Sequence, residues 1–152
     1  MEDEIEFREI SRNDEPTTKE IARLITKYSW FEGYPIDPYD EVKEAEYIIG
    51  AYAGERLVGF AMTTRHASPD QEGNGELWFA DTVVLPEFRR RGILKEVYQR
   101  AMAYLLTQPG RIFSCTEGAL MHDFFLARGW KKIRDTKDES GGACGVYEFP
   151  RP

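Results

Sequence analysis

The chain is short of positive charge, of cysteine and of long apolar runs, and each shortage removes a class of function. Lysine and arginine number 20 against 27 aspartates and glutamates, a formal net charge of −7. Broad binding to nucleic acid or to an anionic membrane surface needs a cationic face, so neither partner is expected. No apolar run approaches the roughly 18 residues of a spanning helix. The opening residues, Met1-Glu-Asp-Glu-Ile5, are acidic and lack the apolar core of a secretory leader. Only Cys115 and Cys144 occur. They have neither metal-ligand spacing nor the number a disulfide scaffold needs. Reduced thiols, a cytoplasmic location and no bound metal are the expectations.

What is present fits one folded domain over residues 1–152. Hydrophobic residues make up 41% and aromatic residues 13%, enough for a core in a chain of 152 residues. Residues 4–10 alternate as a strand. Thr17 and Glu20 have capping-box spacing at a helix start, and Ile21, Leu24, Ile25 and Tyr28 form its apolar stripe. Ser29 to Pro38 is an aromatic loop, and Asp40 to Glu46 is a short second helix. Glu46–Ala53 and Arg56–Arg65 read as a hairpin around Gly54-Glu55, followed by a Ser/Pro/Asp/Gly-rich loop over residues 67–75. Arg111–Thr116 is a strand, Gly118–Arg128 a helix closed by Gly129, and Trp130–Arg134 and Gly145–Phe149 are the last strands. The class is mixed α/β around a central sheet, in the order β-α-α-β-β-β-α-β-α-β-β.

The stretch from Glu76 to Tyr98 organises the rest. Leu77 to Leu85 is apolar apart from Asp81 and Thr82 and reads as a buried strand, which Pro86 stops. Arg89, Arg90, Arg91 and Gly92 follow. A helix then carries Ile93, Leu94, Val97, Tyr98, Ala101, Met102 and Leu105 at three- and four-residue spacing. Cations at a helix start face the positive end of its dipole, an arrangement unfavourable by about 0.3–1 kcal/mol each unless an anion binds there. Free amides, a glycine and flanking arginines make a phosphate site. The other reading of the same residues is a solvated basic turn.

The segment Arg89-Arg-Arg-Gly92-Ile-Leu94 resembles the phosphate loop of the GNAT superfamily of N-acetyltransferases, Gln/Arg-x-x-Gly-x-Gly/Ala, with Leu94 standing where the family has a smaller residue. Val83-Val84-Leu85-Pro86-Glu87-Phe88 is similar to the family's approach to that loop. Ala80-Asp81 through Glu87 is similar to the Ala-Asp-Val-Phe/Tyr-Val-Leu-Pro-Glu strand of one branch. Leu120 to Trp130 resembles a later motif in which a helix carrying a tyrosine ends in Gly-Phe. Aligning Gly129-Trp130 on that pair places Phe125 at the tyrosine position and His122 at a histidine three residues earlier. The element order also matches, so the resemblance covers most of the chain.

The resemblance implies acetyl-CoA as acyl donor and a small-molecule or peptide amine as acceptor. Backbone groups of Val83, Val84 and Leu85 would pair with the pantetheine arm. The amides of Arg90, Arg91, Gly92, Ile93, Leu94 and Lys95 would hold the diphosphate, and the side chains of Arg89, Arg90 and Arg91 would add charge to that grip. Direct attack of the amine on the thioester needs a base, an oxyanion donor and a proton for the leaving thiolate. Asp81, isolated in an apolar strand, is the base candidate, since burial raises a carboxyl pKa. Its alternative is a structural Asp at a strand bulge. Glu76 is a second base candidate. Phe125 has no proton to give, which leaves His122, water or a tyrosine from elsewhere. Trp30, Phe31, Glu32 and Tyr34 would wall the acceptor site, or Trp30 and Phe31 cover the sheet. A homodimer is the family-level expectation. Two other functions remain open: a non-catalytic acyl-CoA-binding module, and a nucleotide phosphate binder, which lacks the usual Gly-Lys-Ser/Thr.

Overall fold

The computed structural model describes residues 4–30 and 32–152. Phe31 lies outside the described residues. The elements are β1 (Ile5–Glu9), α1 (Glu15–Tyr28), α2 (Pro38–Lys43), β2 (Tyr47–Ala53), β3 (Arg56–Thr64), β4 (Leu77–Val84), a 3₁₀ turn (Pro86–Phe88), α3 (Ile93–Leu105), β5 (Ile112–Thr116), α4 (Ala119–Ala127), β6 (Lys131–Lys137) and β7 (Ala143–Phe149). This is the mixed α/β order expected from the sequence. The seven strands form one sheet in the order β1-β2-β3-β4-β5-β7-β6. Neighbours run antiparallel except β4 and β5, which are parallel.

β3 is buried at every position from Leu57 to Thr64, so both faces of the sheet are covered there. α3 lies across β2, β3 and β4 on one face, and α1 packs on α2 and against β4 on the other. α4 joins α3: the Tyr98 and Phe124 rings meet edge to face at 5.0 Å. Gly59 seats the start of α3. A Cβ there would come within 3.1 Å of Ile93 Cγ2 and 3.2 Å of the Val83 carbonyl oxygen. Among the described residues no helix is long and apolar enough to cross a membrane.

Two helix starts differ from the sequence reading. α1 begins at Glu15, and its cap is Asp14, whose side chain accepts from the Thr17 amide at 3.3 Å. Thr17 is thus inside the first turn, and Glu20 pairs with Arg23 instead of closing a capping box. Pro16 explains the shift: proline is tolerated only in the first turn, where its missing N–H costs nothing, and an Asp just ahead caps well. α2 likewise starts at Pro38, capped by Asp37 through the Tyr39 amide at 2.9 Å. The last two strands are longer than expected, because they pair from Lys131–Glu148 to Lys137–Ala143.

Candidate active site

The parallel pair is where the sheet opens. β4 and β5 pair only at Leu77–Ile112 and Trp78–Phe113. The Ser114 hydroxyl then donates to the Phe79 carbonyl at 2.6 Å and forms the floor of a wedge-shaped gap. Beyond it β4 stays with β3 to Gly59–Val84, and β5 stays with β7 to Thr116–Gly145. The Leu85 amide donates to the Val58 carbonyl at 2.9 Å, and Val83 stands opposite Phe60. Strand alternation therefore turns the peptide groups of Val83 and Leu85 toward β3, and those of Val84 toward the gap. Of the three residues expected to meet pantetheine, only Val84 offers its backbone to the gap. The side chains of Val83 and Leu85 are core.

At the wide end of the gap stands the start of α3. The helix proper begins at Ile93, so Arg89, Arg90 and Arg91 precede it in an exposed bend. Arg90 and Gly92 both have left-handed backbones, φ 65° and 79°. Such alternation turns successive N–H groups to one side and makes an anion-binding concavity. Gly92 caps the helix without any side-chain hydrogen bond, and the first intrahelical bond runs from the Glu96 amide to the Gly92 carbonyl. The amides of Ile93, Leu94 and Lys95 thus have no helical acceptor. A Cβ on Gly92 would meet nothing within 4 Å, so the space above the bend is open. Two of the arginines are partly engaged. Arg89 Nε donates to the Val84 carbonyl at 3.1 Å, and the Arg91 guanidinium sits 4.9 Å from the Phe88 ring centroid. Arg90 makes no hydrogen bond or ion pair among the described residues.

The α1/α2 side of the gap is acidic and aromatic. Ala80 and Asp81 form a bulge, since Ala61 pairs with Thr82 and Thr63 with Phe79. Asp81 accepts from the Trp30 indole N–H at 2.9 Å. Burial pushes its carboxyl up to about 6, against the lowering pull of the Trp30 hydrogen bond, with the Glu139 charge adding a smaller rise. The Trp30 and Tyr34 rings lie 4.6 Å apart, and the Tyr34 hydroxyl donates to Glu139 of the β6–β7 loop at 2.5 Å. Glu41 of α2 joins this group. Burial pushes its carboxyl up to about 8, and the charges of Asp81, Glu139 and Glu44 add to the rise. Neither Glu41 nor Glu139 is among the residues the sequence points to. Glu32 is exposed. Glu76 accepts from the Arg111 amide at 2.9 Å, at the closed end where β4 and β5 still pair. Cys115 is also beside this pocket. Its thiol is pushed well up by burial and then by Cys144, which makes it a poor nucleophile.

The α4 side is different in character. Phe125 is 1% exposed and touches the rings of Phe79, Trp130 and Tyr147. His122, half-buried on the first turn of α4, places Nδ1 2.5 Å from the Tyr147 hydroxyl. Among the described residues no group of three or more His, Cys, Asp or Glu is arranged to hold a metal ion.

Residues 6–129 match the acetyltransferase (GNAT) family. The chain belongs to that family. GNAT acetyltransferases also share its fold among solved structures. An aminoglycoside 6′-N-acetyltransferase complexed with coenzyme A is 17% identical, with TM-score 0.70 over 97% of this chain and 99% of that one. Naa50 of Arabidopsis thaliana, solved with the bisubstrate analogue CoA-Ac-MVNAL, is 15% identical, with TM-score 0.71 over 97% and 99%. A Pyrococcus horikoshii OT3 protein is 17% identical, with TM-score 0.75 over 98% and 99%. No curated protein matches the chain in sequence.

Proposed function

We propose that this GNAT protein is an N-acetyltransferase that moves the acetyl group of acetyl-CoA to a primary amine by direct attack in a ternary complex. The observation that carries the reading is the wedge between β4 and β5 ending at an uncapped helix start. An extended pantetheine chain fits a strand-wide gap with the Val84 N–H facing it. A diphosphate fits the free amides of Ile93, Leu94 and Lys95, with the Arg90 guanidinium unpaired nearby. Trp30, Tyr34, Asp81 and Glu139 form the acceptor side, where aromatic faces and carboxylates attract an ammonium group, and Glu41, its carboxyl pushed up to about 8, lines it as a mostly neutral acid. Asp81 takes the proton from the attacking amine, and its carboxyl, poised at about 6, is ionised at neutral pH. The Val84 N–H is the donor for the oxyanion. Structural relatives solved with a peptidyl bisubstrate analogue and with coenzyme A support an amine acceptor.

A second reading, a CoA-binding module without turnover, draws on Phe125, which is closed into the core and carries no proton. One experiment separates them. Acetyl-CoA raises the melting temperature in both cases, but only an acetyltransferase releases free thiol when offered a panel of diamines, amino sugars and peptide N-termini. A melting temperature unmoved by any coenzyme A species rejects both readings.

A further inference from the structure

On the α4 side of the gap His122, which the family motif points to, is paired with a residue that the motif does not, Tyr147. Tyr147 comes from β7, stands opposite Ser114 in the sheet register, and is 2% exposed. Ser114 forms the floor of the gap through the Phe79 carbonyl, so Tyr147 is next to that floor on the α4 face. The Phe125 ring, tilted against Tyr147 at 5.4 Å and reaching Phe79 at 6.2 Å, fills the space between. Among the described residues the only hydrogen-bond partner of the Tyr147 hydroxyl is His122 Nδ1. A buried phenol must place its proton on an acceptor. With His122 Nδ1 as that acceptor, the imidazole proton sits on Nε2. Nε2 itself has no partner among the described residues.

We propose that Tyr147 is a positioning residue for acetyl transfer: it holds His122 in the Nε2–H tautomer, and that N–H supplies the proton for the departing coenzyme A sulfur. The inference rests on the acetyl-transfer reading above. When the tetrahedral adduct collapses, the carbon–sulfur bond breaks and its electron pair stays on sulfur. The Nε2 proton passes to that sulfur, and the phenol proton of Tyr147 passes to Nδ1. Nε2 then takes a proton from solvent and the Nδ1 proton returns to the phenolate, which restores the starting tautomer, while the proton taken from the amine by Asp81 leaves to solvent, so the cycle closes without net charge. Burial pushes the phenol up and keeps it protonated at rest; Lys132 of β6 pulls the other way, and Asp135 of β6 and Asp123 of α4 add to the rise. The Lys132 side chain and the Tyr147 hydroxyl both flank Gly145, where a Cβ would lie 2.9 Å from Lys132 Cε and 3.2 Å from the hydroxyl oxygen. Phe125 then completes the packing that presses the pair together.

Two measurements test this. His66 is the other histidine of the chain, so in a ¹⁵N-labelled His66→Gln protein the long-range ¹H–¹⁵N correlations report His122 alone. The expected spectrum shows the Nε2–H tautomer, and Tyr147→Phe, which keeps the ring, turns it into a mixture. In steady-state kinetics Tyr147→Phe lowers kcat by at least about ten-fold while KM for acetyl-CoA changes by less than about twofold. The same change made in a His122→Asn background has little further effect, because the two residues act as one unit. An Nδ1–H tautomer in the unaltered Tyr147 protein, an unchanged kcat in Tyr147→Phe, or additive losses overturn the inference while leaving acetyl transfer in place. Absence of thiol release by the native protein overturns the acetyl-transfer reading, and this inference with it.

Discussion

Replacing Asp81 by Asn separates the charge of this residue from its shape. The amide oxygen of the asparagine can still accept from the Trp30 indole, so the bulge and its packing persist. What is removed is a carboxyl whose pKa in the fold lies near 6 instead of 3.8, chiefly because it is buried. A rise of that size corresponds to about 3 kcal/mol between the two protonation states. Asp81 is half-buried, so residual solvent reduces the figure to about 2–3 kcal/mol. The sign follows from a raised folded-state pKa. The protonated form is favoured by folding, its contribution is fully present below 3.8, and it is lost as pH rises through about 6. Urea titrations of both proteins between pH 4 and 8 measure this. The native chain should lose about 2–3 kcal/mol relative to Asp81→Asn over that interval, so the substituted protein is the more stable of the two at neutral pH. Its kcat should fall by at least about a hundred-fold while acetyl-CoA affinity is kept. Parallel stability profiles would show that burial does not raise the Asp81 carboxyl, and an unchanged kcat would remove it from the chemistry.

Three further outcomes follow from the same geometry. Gly92→Ala places a Cβ on a backbone with φ 79°, which costs about 1–2 kcal/mol; acetyl-CoA affinity measured by calorimetry should drop about ten-fold, and an unchanged affinity would detach the bend from the ligand. Trp30→Phe deletes the hydrogen bond that lowers the Asp81 pKa, so the acid limb of the pH–rate profile should move to higher pH; a limb that stays put contradicts Asp81 as the base. Phe125→Tyr inserts a hydroxyl into a site 1% exposed, where a donor without an acceptor costs about 1–3 kcal/mol; the urea midpoint should fall with no gain in kcat, and a gain in kcat would make position 125 part of the proton path.

Local signals carry most of what the sequence discloses. The strand–proline–arginine–glycine–helix run is recognisable because each piece is a short-range effect. Pro86 ends a ladder, Gly92 takes φ 79°, and the apolar stripe from Ile93 to Leu105 repeats at helical spacing. Asp81 stands out as one carboxylate in an apolar strand. The α1 cap lies three residues ahead of the position the sequence suggests, because Thr17 and Glu20 mimic a capping box, while Asp14 and Pro16 decide the start. The remaining features depend on distant chain segments meeting. The gap exists because β4 and β5 pair only at two positions, which no residue of either strand announces. Glu41 reads as an ordinary first-turn acid of a six-residue helix until Asp81 and Glu139 are brought beside it. Tyr147 reads as a core strand residue until α4 lays His122 against it. Nor does an arginine run reveal that Arg89 turns back to the Val84 carbonyl and leaves Arg90 unpaired.

The claim on which these arguments depend is that the open wedge and the bend ahead of α3 receive one molecule of coenzyme A. A crystal structure with acetyl-CoA bound measures it directly. The account predicts pantetheine density between β4 and β5 alongside Val84, with diphosphate oxygens at hydrogen-bonding distance from the amides of Ile93, Leu94 and Lys95. Diphosphate density elsewhere on the protein, with the wedge empty at saturating acetyl-CoA, would contradict it.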